Sequence, residues 1–484
     1  MTTQTTRSIN SHSLAGLLAE WRTGSPAYAA LARAVVVALL DGRLPLHCRL
    51  PSERDLAAAL EVSRTTVTAA YDALRASGHL LSRRGSGSWT ALPAGARGRA
   101  PGWAAAEVAR SDDPVYDLAS AAPAGPADVL VAAAQDAVEE LPRHVDEHGY
   151  DPVGLPALRA AVAEHYRRRG VPTTPDQILI TNGALHGLDL AVRLLVRPGD
   201  RVVTDTPSYP TAVDTMRASG ARLVPVGLGR HGWNVELLTT SYRQSAPRLG
   251  YLVADFHNPT GLVMPDEARA AAAAAAARAG AYLLVDESFV DLAYDDPPPA
   301  VAPVAAHDPD GHVLSVGSLS KPFWGGLRVG WIRADPELLT RLAAVRAIAD
   351  MASPMLEQLV ARRLLERAGE VLPARRRMFA ERRDALAAAL RRELPEWRFA
   401  VPGGGLAIWV ELDAPVSTAL AVAAAQRGVR LAAGPRFGVE GTLERYLRLP
   451  FVLPAAELDE AVTRIAAAHA RLDPAGTGAP LVVA

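Results

Sequence analysis

From residue 175 onward, the chain alternates short apolar runs with helical patterns. The strand-like runs are QILIT, RVVTD, LGYLVAD, AYLLVDE and HVLSVGS, which begin at residues 177, 201, 249, 281 and 312. Strands that alternate with helices predict a mostly parallel sheet covered by helices on both faces. Ligands bind such sheets beyond the carboxyl ends of the strands, so the residues after each run are the candidates for a site.

Lys321, in the segment SVGSLSKPFWGGLRVGW, is the only lysine among the 51 Lys and Arg residues of the chain. An arginine guanidinium stays protonated, whereas a lysine amine can lose its proton in a suitable environment and form a Schiff base. Ser318 and Arg328 flank this lysine, and a serine and an arginine there suit a phosphate held beside an imine. The alternative is chance in an arginine-rich chain, so the neighbouring motifs decide between the two interpretations.

Two further strand ends carry groups that can hold a flat, phosphorylated ligand. ITNGALHGLDL predicts a strand that turns into a helix, and the first amides of that helix either form a phosphate site or only begin an ordinary helix. These amides belong to Gly183, Ala184 and Leu185. In VTDTPSYP, Tyr209 follows a strand in a loop bounded by prolines, where its ring can stack on a flat ligand or simply pack.

Asn258 and Asp286 also follow predicted strands. Asn258 precedes a proline in ADFHNPTG, so its amide either donates to a phenolic oxygen or only forms a turn. Asp286 ends the strand of LLVDESF, where a carboxylate either pairs with a pyridinium nitrogen or caps the next helix. Each residue has an ordinary structural explanation, and the order in which they occur favours the chemical one.

The front of the chain has a different charge and pattern. Residues 1 to 110 hold 13 arginines against 7 acidic residues, although the whole chain has a net charge of -1. Residues 26 to 90 predict three helices, the second and third separated by a short break, and then two short strands around a glycine-rich turn. This order is that of a winged helix-turn-helix, whose second motif helix enters the major groove of DNA. The alternative is a small helical domain for protein contacts.

The candidate DNA contacts are hydroxyls and arginines at the start of that helix and at the wing tip. LPSERDLAAALEVSRTTVTAAYDALRASGHLLSRRGSG resembles the GntR family of bacterial winged-helix regulators along its whole length. The resemblance implies that double-stranded DNA is the partner and that these residues contact it: Arg54, Ser63, Arg64, Thr65, Arg84 and Gly85.

The remainder, with HNPTG and SLSKPFWGGLRVG, resembles the aminotransferase class I/II group of fold-type I enzymes, which use pyridoxal 5'-phosphate (PLP). The resemblance implies that Lys321 forms the internal aldimine and that Asp286 pairs with the pyridine nitrogen. Asn258 then binds the ring hydroxyl and Tyr209 stacks on the ring. The phosphate falls to Gly183, Ala184, Leu185, Ser318 and Arg328.

Three further residues take their interpretation from the same resemblance. Tyr150, in HGYDPVGLPALR, matches the tyrosine that reaches the phosphate from the neighbouring subunit. Arg448, in YLRLPF, matches the arginine that binds the substrate carboxylate, although a surface arginine is the alternative. Phe289 departs from the pattern, because many members carry a tyrosine there that bonds the ring hydroxyl. That departure puts full, fast transamination in doubt.

A GntR domain followed by an aminotransferase-like domain resembles the MocR/GabR type of bacterial regulator. The resemblance implies a homodimer in which each DNA-binding domain reaches across to the large domain of its partner. We expect a transcription regulator that senses a small amine or amino acid through aldimine exchange at Lys321. The alternatives are a metabolic aminotransferase or lyase with an incidental front domain, and a sensor of PLP itself.

The expected fold is a winged helix-turn-helix plus an α/β fold-type I domain with a small C-terminal α+β subdomain. We predict the winged helix at residues 21–90, a linker at 91–114 and the PLP domain at 115–471, with the small subdomain from about 350. Residues 1 to 20 carry no readable pattern and are expected to be mobile. The sequence shows no secretory signal or membrane span, and Cys48 has no second cysteine as partner, so a cytoplasmic protein without a metal site is expected.

Overall fold

The computed structural model describes residues 7–18, 21, 26–40, 43–83, 87–91, 115–146, 148–229, 232–294, 301–439 and 441–472. Arg84, Gly85 and nearly all of the predicted linker lie outside the described residues. None of the helices within the described ranges is long and apolar enough to cross a membrane.

The N-terminal unit is a winged helix-turn-helix built on a four-stranded sheet. Ser52 caps the helix that begins at Glu53 and Ser63 the helix that begins at Arg64, each accepting a hydrogen bond from a backbone amide of the first turn. Glu61, in the left-handed conformation with φ of 53°, makes the turn between them. The elements are β1 (Arg7–Ser8), α1 (Ser11–Leu17), α2 (Ala27–Leu40), β2 (Cys48–Arg49), α3 (Glu53–Leu60), α4 (Arg64–Ala76), β3 (Leu80–Arg83) and β4 (Gly87–Thr90).

Two elements of this unit lie before the predicted domain start at residue 21. β1 pairs in parallel with β2 at the edge of the sheet, and α1 packs its buried Leu14 into the core of the winged helix. The expectation for residues 1 to 20 is therefore wrong for residues 7–18, which form a strand and a helix. The sequence does not indicate these two elements, because both are short and of mixed polarity. β1 has only two residues and depends on its pairing with β2.

The remaining elements follow in chain order. They are β5 (Tyr116–Leu118), α5 (Ala127–Glu140), α6 (Pro156–Arg168), β6 (Ile178–Thr181), α7 (Ala184–Leu195), β7 (Arg201–Thr206), α8 (Pro210–Ala218), β8 (Arg222–Gly229), β9 (Gly232–Trp233), α9 (Val235–Ser245), β10 (Leu249–Leu252), α10 (Asp266–Arg278), β11 (Tyr282–Asp286), β12 (Val313–Ser318), β13 (Gly330–Arg333), α11 (Pro336–Ala349), α12 (Met355–Glu366), α13 (Ala368–Glu393), β14 (Arg398–Phe399), β15 (Ala407–Glu411), α14 (Ser417–Ala425), β16 (Val429–Ala433), β17 (Tyr446–Pro450) and α15 (Ala455–His469). Short 3-10 helices cover Leu141–Arg143, Pro175–Gln177, Val304–His307, Gly325–Leu327 and Gly434–Phe437.

The large sheet has eight strands in the order β6-β13-β12-β11-β10-β7-β8-β9. The five central strands, from β12 to β8, run parallel, whereas β13 is antiparallel to both β12 and β6. All five predicted runs are strands of this sheet, whereas β8, β9 and β13 were missed. β8 contains a proline, β9 has only two residues, and β13 is short and follows the lysine loop directly. The predicted mostly parallel sheet is confirmed.

Helices cover both faces of the large sheet. One hydrophobic cluster gathers α5, α6, α9, α10 and α12, and a second gathers α7, α8 and α11 on the other face. β6 and β12 are buried along their whole length because both faces are covered. This arrangement brings the ends of β10, β11 and β12 to one edge, where the candidate site lies.

The small subdomain has its own sheet, in the order β14-β15-β17-β16-β5, with α13, α14 and α15 around it. Its edge strand β5 comes from the start of the large domain and pairs in parallel with β16. α12 packs into the core of the large sheet, as do Val371 and Leu372 near the start of α13, whereas the later part of α13 packs into the core of the small subdomain. The start of the small subdomain at about residue 350 stays a prediction.

Candidate cofactor and effector site

Lys321 follows β12 and lies partly exposed at the junction of the large sheet and the small subdomain. Its Nζ donates a hydrogen bond to the carbonyl oxygen of Ala121 at 2.8 Å. Burial, together with the positive charges of Arg448 and Arg328, lowers the Lys321 pKa to about 8, although Asp286 opposes the shift. The neutral fraction of this amine near physiological pH is therefore far larger than that of an ordinary lysine, which favours a nucleophilic role.

Asp286 ends β11, the strand beside β12, and is buried. Its Oδ1 accepts a hydrogen bond from the backbone amide of Ser288 at 2.9 Å, and its Oδ2 accepts one from the Tyr251 hydroxyl at 3.1 Å. Burial raises the pKa of this carboxyl, while these hydrogen bonds and Lys321 lower it. A buried carboxylate oriented by two donors fits a cationic ring nitrogen. Tyr251 was missed, because a tyrosine inside a buried strand has no sequence signal.

The predicted phosphate residues lie together between α7 and the loop after Lys321. Gly183 precedes α7 with φ of 88°, and a Cβ atom there would lie 2.8 Å from Arg328 Nη2. Arg328 Nη2 donates to the carbonyl oxygen of Asn182 at 2.8 Å, and its own φ is 51°. Ser318 Oγ lies 2.9 Å from Ser320 Oγ. The amides of Ala184 and Leu185 stand in the first turn of α7, where backbone N–H groups favour an anion.

A hydrogen-bond network that the sequence did not indicate holds the turn before α7, where the predicted phosphate site begins. The Asn182 amide donates to Asp350 Oδ2 at 2.6 Å and accepts from Ser353 Oγ at 2.7 Å. Arg346, fully buried, donates to Ser353 at 2.6 Å and to Asp350 at 3.1 Å. Asn182 and Arg346 therefore position Gly183 and the start of α7 through contacts that span about a third of the chain.

Arg448 lies on β17 and is buried, facing the large domain. It donates to Asn258 Oδ1 at 3.2 Å and to the carbonyl oxygen of Ala119, and its guanidinium carbon lies 4.8 Å from the centre of the Phe437 ring. Burial lowers the Arg448 pKa to about 10. Within the described ranges it has no carboxylate within 4.0 Å, and its Nε has no partner. A buried guanidinium without a counter-charge is suited to an anionic ligand.

Two aromatic residues complete the site. Tyr209 directly precedes α8 and is half-buried. Phe289 is 6% exposed, and its ring centre lies 5.9 Å from Lys321 Nζ. Phe289, Phe256, Asn258 and Leu406 line one cleft, so that cleft has an apolar wall and a polar edge. At the position of Phe289, no hydroxyl is present to bond a cofactor.

Tyr150 is 60% exposed and stacks on His148, with ring centres 6.0 Å apart. No hydrogen bond or ring contact joins it to the cradle within the described part of this chain. Its predicted role toward a neighbouring subunit stays a prediction.

The DNA-contacting surface is formed by exposed side chains around the start of α4. Ser63 Oγ lies 2.8 Å from Thr65 Oγ1 and accepts from the Thr66 amide at 3.1 Å. The side chains of Arg54 and Arg64 are exposed, and within the described ranges neither lies within 4.0 Å of a carboxylate. Ser63, Thr65 and both arginines are thus accessible to a nucleic acid.

The donors and acceptors present fit PLP. Asp286 would pair with the ring nitrogen of PLP, and Lys321 would react with its carbonyl carbon. The glycine turn before α7 would bind its phosphate. A fold and a site of this kind are those of the PLP-dependent proteins of fold type I, here joined to a winged-helix DNA-binding domain.

Residues 113–465 match the family Aminotransferase class I and II, and residues 27–89 match Bacterial regulatory proteins, gntR family. The chain belongs to the aminotransferase class I and II family and carries a GntR DNA-binding domain, the combination found in MocR-type regulators.

Two relatives and one solved structure illustrate this membership. An uncharacterized HTH-type transcriptional regulator of Bacillus subtilis (strain 168), YisV, is 30% identical over 78% of this chain and 83% of its own length. The probable rhizopine catabolism regulatory protein MocR of Rhizobium meliloti is 31% identical over 74% and 76%. The structure of LysN, an alpha-aminoadipate aminotransferase of Thermus thermophilus complexed with N-(5'-phosphopyridoxyl)-L-leucine, superposes with a TM-score of 0.68 at 30% identity, over 73% of this chain and 92% of that one.

Proposed function

We propose that this MocR-type regulator senses a small amine or amino acid by exchange at Lys321 and changes its DNA binding in response. The observation that carries the proposal is the pairing of a lysine whose pKa is lowered to about 8 with Arg448, a buried guanidinium that no described carboxylate neutralises. An amino acid carries one group for each: an amine to replace Lys321 and a carboxylate for Arg448.

Each residue of the site has a separate role toward PLP or the effector. PLP supplies a reactive carbonyl carbon and an electron-withdrawing ring when it is bound. Asp286 keeps the ring nitrogen protonated, Tyr209 stacks on the ring, and Asn258 donates its amide to the ring hydroxyl. Asn258 is already oriented for this, because its Oδ1 accepts from Arg448 and its Nδ2 remains as the donor. Arg448 orients an effector carboxylate.

One short backbone segment accepts hydrogen bonds from both cationic side chains of the site. Arg448 donates to Ala119 and Lys321 to Ala121, two residues apart in the segment that follows β5. PLP takes the Lys321 amine away from Ala121 when it binds, and an effector amine that replaces Lys321 releases that amine again. The change that depends on the effector is therefore the loss of the Arg448–Ala119 hydrogen bond to the effector carboxylate. Because β5 belongs to the sheet of the small subdomain, we infer that effector binding shifts that subdomain.

An amino acid is favoured as the effector class by one comparison. The Thermus thermophilus LysN structure contains leucine joined to the cofactor. The apolar wall of Phe256, Phe289 and Leu406 offers a place for an uncharged side chain. We therefore infer an α-amino acid without a charged side chain as the first effector to test.

We further propose a cytoplasmic homodimer. The large apolar side chains of Val131 and Val138 on α5, Tyr150 and Trp324 are between 45% and 60% exposed in the single chain. A second copy of the chain would remove them from water. The predicted exchange of DNA-binding domains between subunits remains to be tested.

The experiment is fluorescence-anisotropy binding of the PLP-loaded protein to DNA from upstream of its own gene, with scrambled DNA at the same salt concentration. A preference of about 10³ or more for the upstream DNA supports a specific regulator. Amino acids that change this preference support amine sensing. Equal, weak binding together with steady transamination would favour a metabolic enzyme, and a response to added PLP alone would favour a PLP sensor.

A further inference from the structure

A buried polar cluster lies behind the cofactor site and takes no part in the roles described above. It contains Asp205 at the end of β7, Trp233 of β9, Tyr242 of α9, and His257 after β10, none more than 9% exposed. Trp233 Nε1 donates to Asp205 Oδ1 at 3.1 Å, and Asp205 Oδ2 lies 3.6 Å from His257 Nε2. Three elements of the large domain thus converge on one carboxyl group.

Several polar atoms of the cluster lack hydrogen-bond partners. Within the described ranges, Asp205 Oδ2, His257 Nε2 and the Tyr242 hydroxyl are buried without a hydrogen-bond partner. Burial raises the pKa of the Asp205 carboxyl and lowers that of the His257 imidazole, so burial favours the uncharged form of both groups. A neutral carboxyl and a neutral imidazole at this distance form a hydrogen bond after a small shift of either loop. Such a cluster can respond to a change in the cofactor site.

One end of the cluster touches the residues that bind cofactor and effector. His257 directly precedes Asn258, whose Oδ1 accepts a hydrogen bond from Arg448 at 3.2 Å. An effector carboxylate on Arg448 competes with that bond and releases the Asn258 side chain. Asp205 lies four residues before Tyr209, so the cluster borders both loops that hold the ring.

The other end leads to α9. Trp233 is followed by Asn234, which caps α9 by accepting from the Leu237 amide at 2.9 Å. Tyr242 lies near the C-terminal end of α9 and contacts the β10 backbone. A Cβ atom on Gly250 would overlap the Tyr242 hydroxyl at 1.7 Å. A movement of Trp233 or Tyr242 therefore moves α9 with it.

The exposed side of α9 binds the N-terminal segment, residues 7–18, of the winged-helix unit. Glu236 accepts from Ser13 Oγ at 2.6 Å and from the Asn10 side-chain amide. Near the other end of α9, Gln244 Nε2 donates to Ser8 Oγ at 3.0 Å, and its Oε1 accepts from the Ser8 amide at 3.2 Å. The segment is part of the DNA-binding unit, because β1 pairs with β2 and α1 packs near α3.

We propose that the Asp205–Trp233–Tyr242–His257 cluster and α9 couple the effector site to the DNA-binding unit, with α9 as the docking surface for the N-terminal segment. Occupation of Arg448 then alters the contacts of Glu236 and Gln244 with that segment. The inference rests on the proposed function, since it requires a ligand at Lys321 and Arg448. The coupling passes through a continuous set of contacts from the effector site to residues 7–18. These contacts have one arrangement with the effector bound and another without it.

The test uses the full-length, PLP-loaded protein and aminooxyacetate, which combines an amine-type nucleophile with a carboxylate. The absorbance change of PLP reports that the probe has reacted. Amide hydrogen exchange, read by mass spectrometry, reports on residues 7–18. We expect aminooxyacetate to change the exchange rate of this segment about 5-fold or more in the native protein.

Four variants separate the coupling from its alternatives. Asp205→Asn and Trp233→Phe should keep the absorbance change and lose the exchange response. Glu236→Ala, at an exposed position, should give fast exchange in residues 7–18 with or without the probe. Arg243→Ala, on the exposed side of the same helix, is the matched control and should behave as the native protein.

The failures of the two proposals are distinguishable. A protein that binds no PLP, or whose PLP does not react, overturns the proposed function and the coupling with it. Reaction without an exchange response in the native protein overturns the coupling alone. Equal responses in the native protein and in the Asp205 and Trp233 variants also overturn it.

Discussion

Lys321 Nζ donates a hydrogen bond to the carbonyl oxygen of Ala121 at 2.8 Å, so the reactive amine is tied to the segment that follows β5. That segment belongs to the first strand of the small subdomain, whereas Lys321 follows a strand of the large sheet. The bond therefore spans the two parts of the PLP domain, and any ligand that takes the amine breaks it.

Lys321→Arg should abolish the absorbance of lysine-bound PLP, because a guanidinium stays protonated and cannot form the imine. The variant keeps the positive charge and therefore separates charge from chemistry. Absorption spectra before and after dialysis against PLP, with borohydride reduction and peptide mapping, provide the measurement. Since Lys321 is the only lysine, PLP retained on another peptide would contradict the assignment.

The rate at which the PLP-free protein takes up PLP should rise with pH and level off above about 8. The Lys321 pKa is lowered from 10.5 to about 8, so the reactive neutral amine becomes the major form above pH 8. Arg448→Gln removes a positive charge and should move this midpoint upward. Stopped-flow absorbance across pH 6 to 10 measures it, with Lys321→Ala as the blank for the N-terminal amine. A midpoint near 10 in the native protein would contradict the burial argument.

Arg448→Gln should weaken amino acids much more than amines that lack a carboxylate. Hydrogen bonds to a charged group contribute about 1.5–3 kcal/mol, or roughly 10- to 150-fold in affinity. Titration of the PLP absorbance with L-leucine and with the matching amine, isoamylamine, gives both affinities. Equal losses for both ligands would show that Arg448 acts on the fold or the cofactor instead.

Arg64→Ala should weaken binding to the upstream DNA by about 5- to 150-fold, because an arginine at the start of α4 contacts bases or phosphates in the major groove. Loss of a phosphate contact also lowers the salt slope by about 1, whereas loss of a base contact reduces sequence preference. Anisotropy titrations at several salt concentrations distinguish the two. Arg193→Ala, at an exposed arginine of α7, serves as the control and should leave DNA binding unchanged.

Asn10→Cys combined with Glu236→Cys should be joined by a short bifunctional maleimide, because the two native side chains meet in a hydrogen bond. A product that runs as a monomer on a denaturing gel shows that the N-terminal segment docks on the large domain of its own chain. A linked dimer would instead show that the DNA-binding domains are exchanged between subunits. The single variants are the controls, and the native Cys48 is buried and 1% exposed.

Residues whose role depends on local pattern were readable from the sequence. Asp286 ends the strand within a strand-like run, and Lys321 and Asn258 each lie three residues beyond such a run. The parallel sheet brings strand ends to one edge. Ser63 was equally readable, because an N-cap serine depends only on its own first turn. The charge of the front end pointed to DNA without any contact being known.

Residues whose role depends on partners far along the chain were not readable. Tyr251 meets Asp286 across 35 positions, and Ser8 meets Gln244 across 236. Neither pair leaves a trace in hydrophobic period or turn residues. β1 was missed for the same reason, since two residues form a strand only when β2 supplies its hydrogen bonds.

The sequence by itself determined the parallel sheet, the winged helix and the chemistry of Lys321, because strand–helix alternation, helix capping and amine reactivity are local properties. Only the tertiary structure decided the lowered pKa of Lys321, the uncompensated guanidinium of Arg448 and the contact of α9 with the N-terminal segment. Desolvation and electrostatic interactions depend on which atoms surround a group after folding. The sequence specifies which ionisable groups are present, and packing decides their charge and their hydrogen-bond partners.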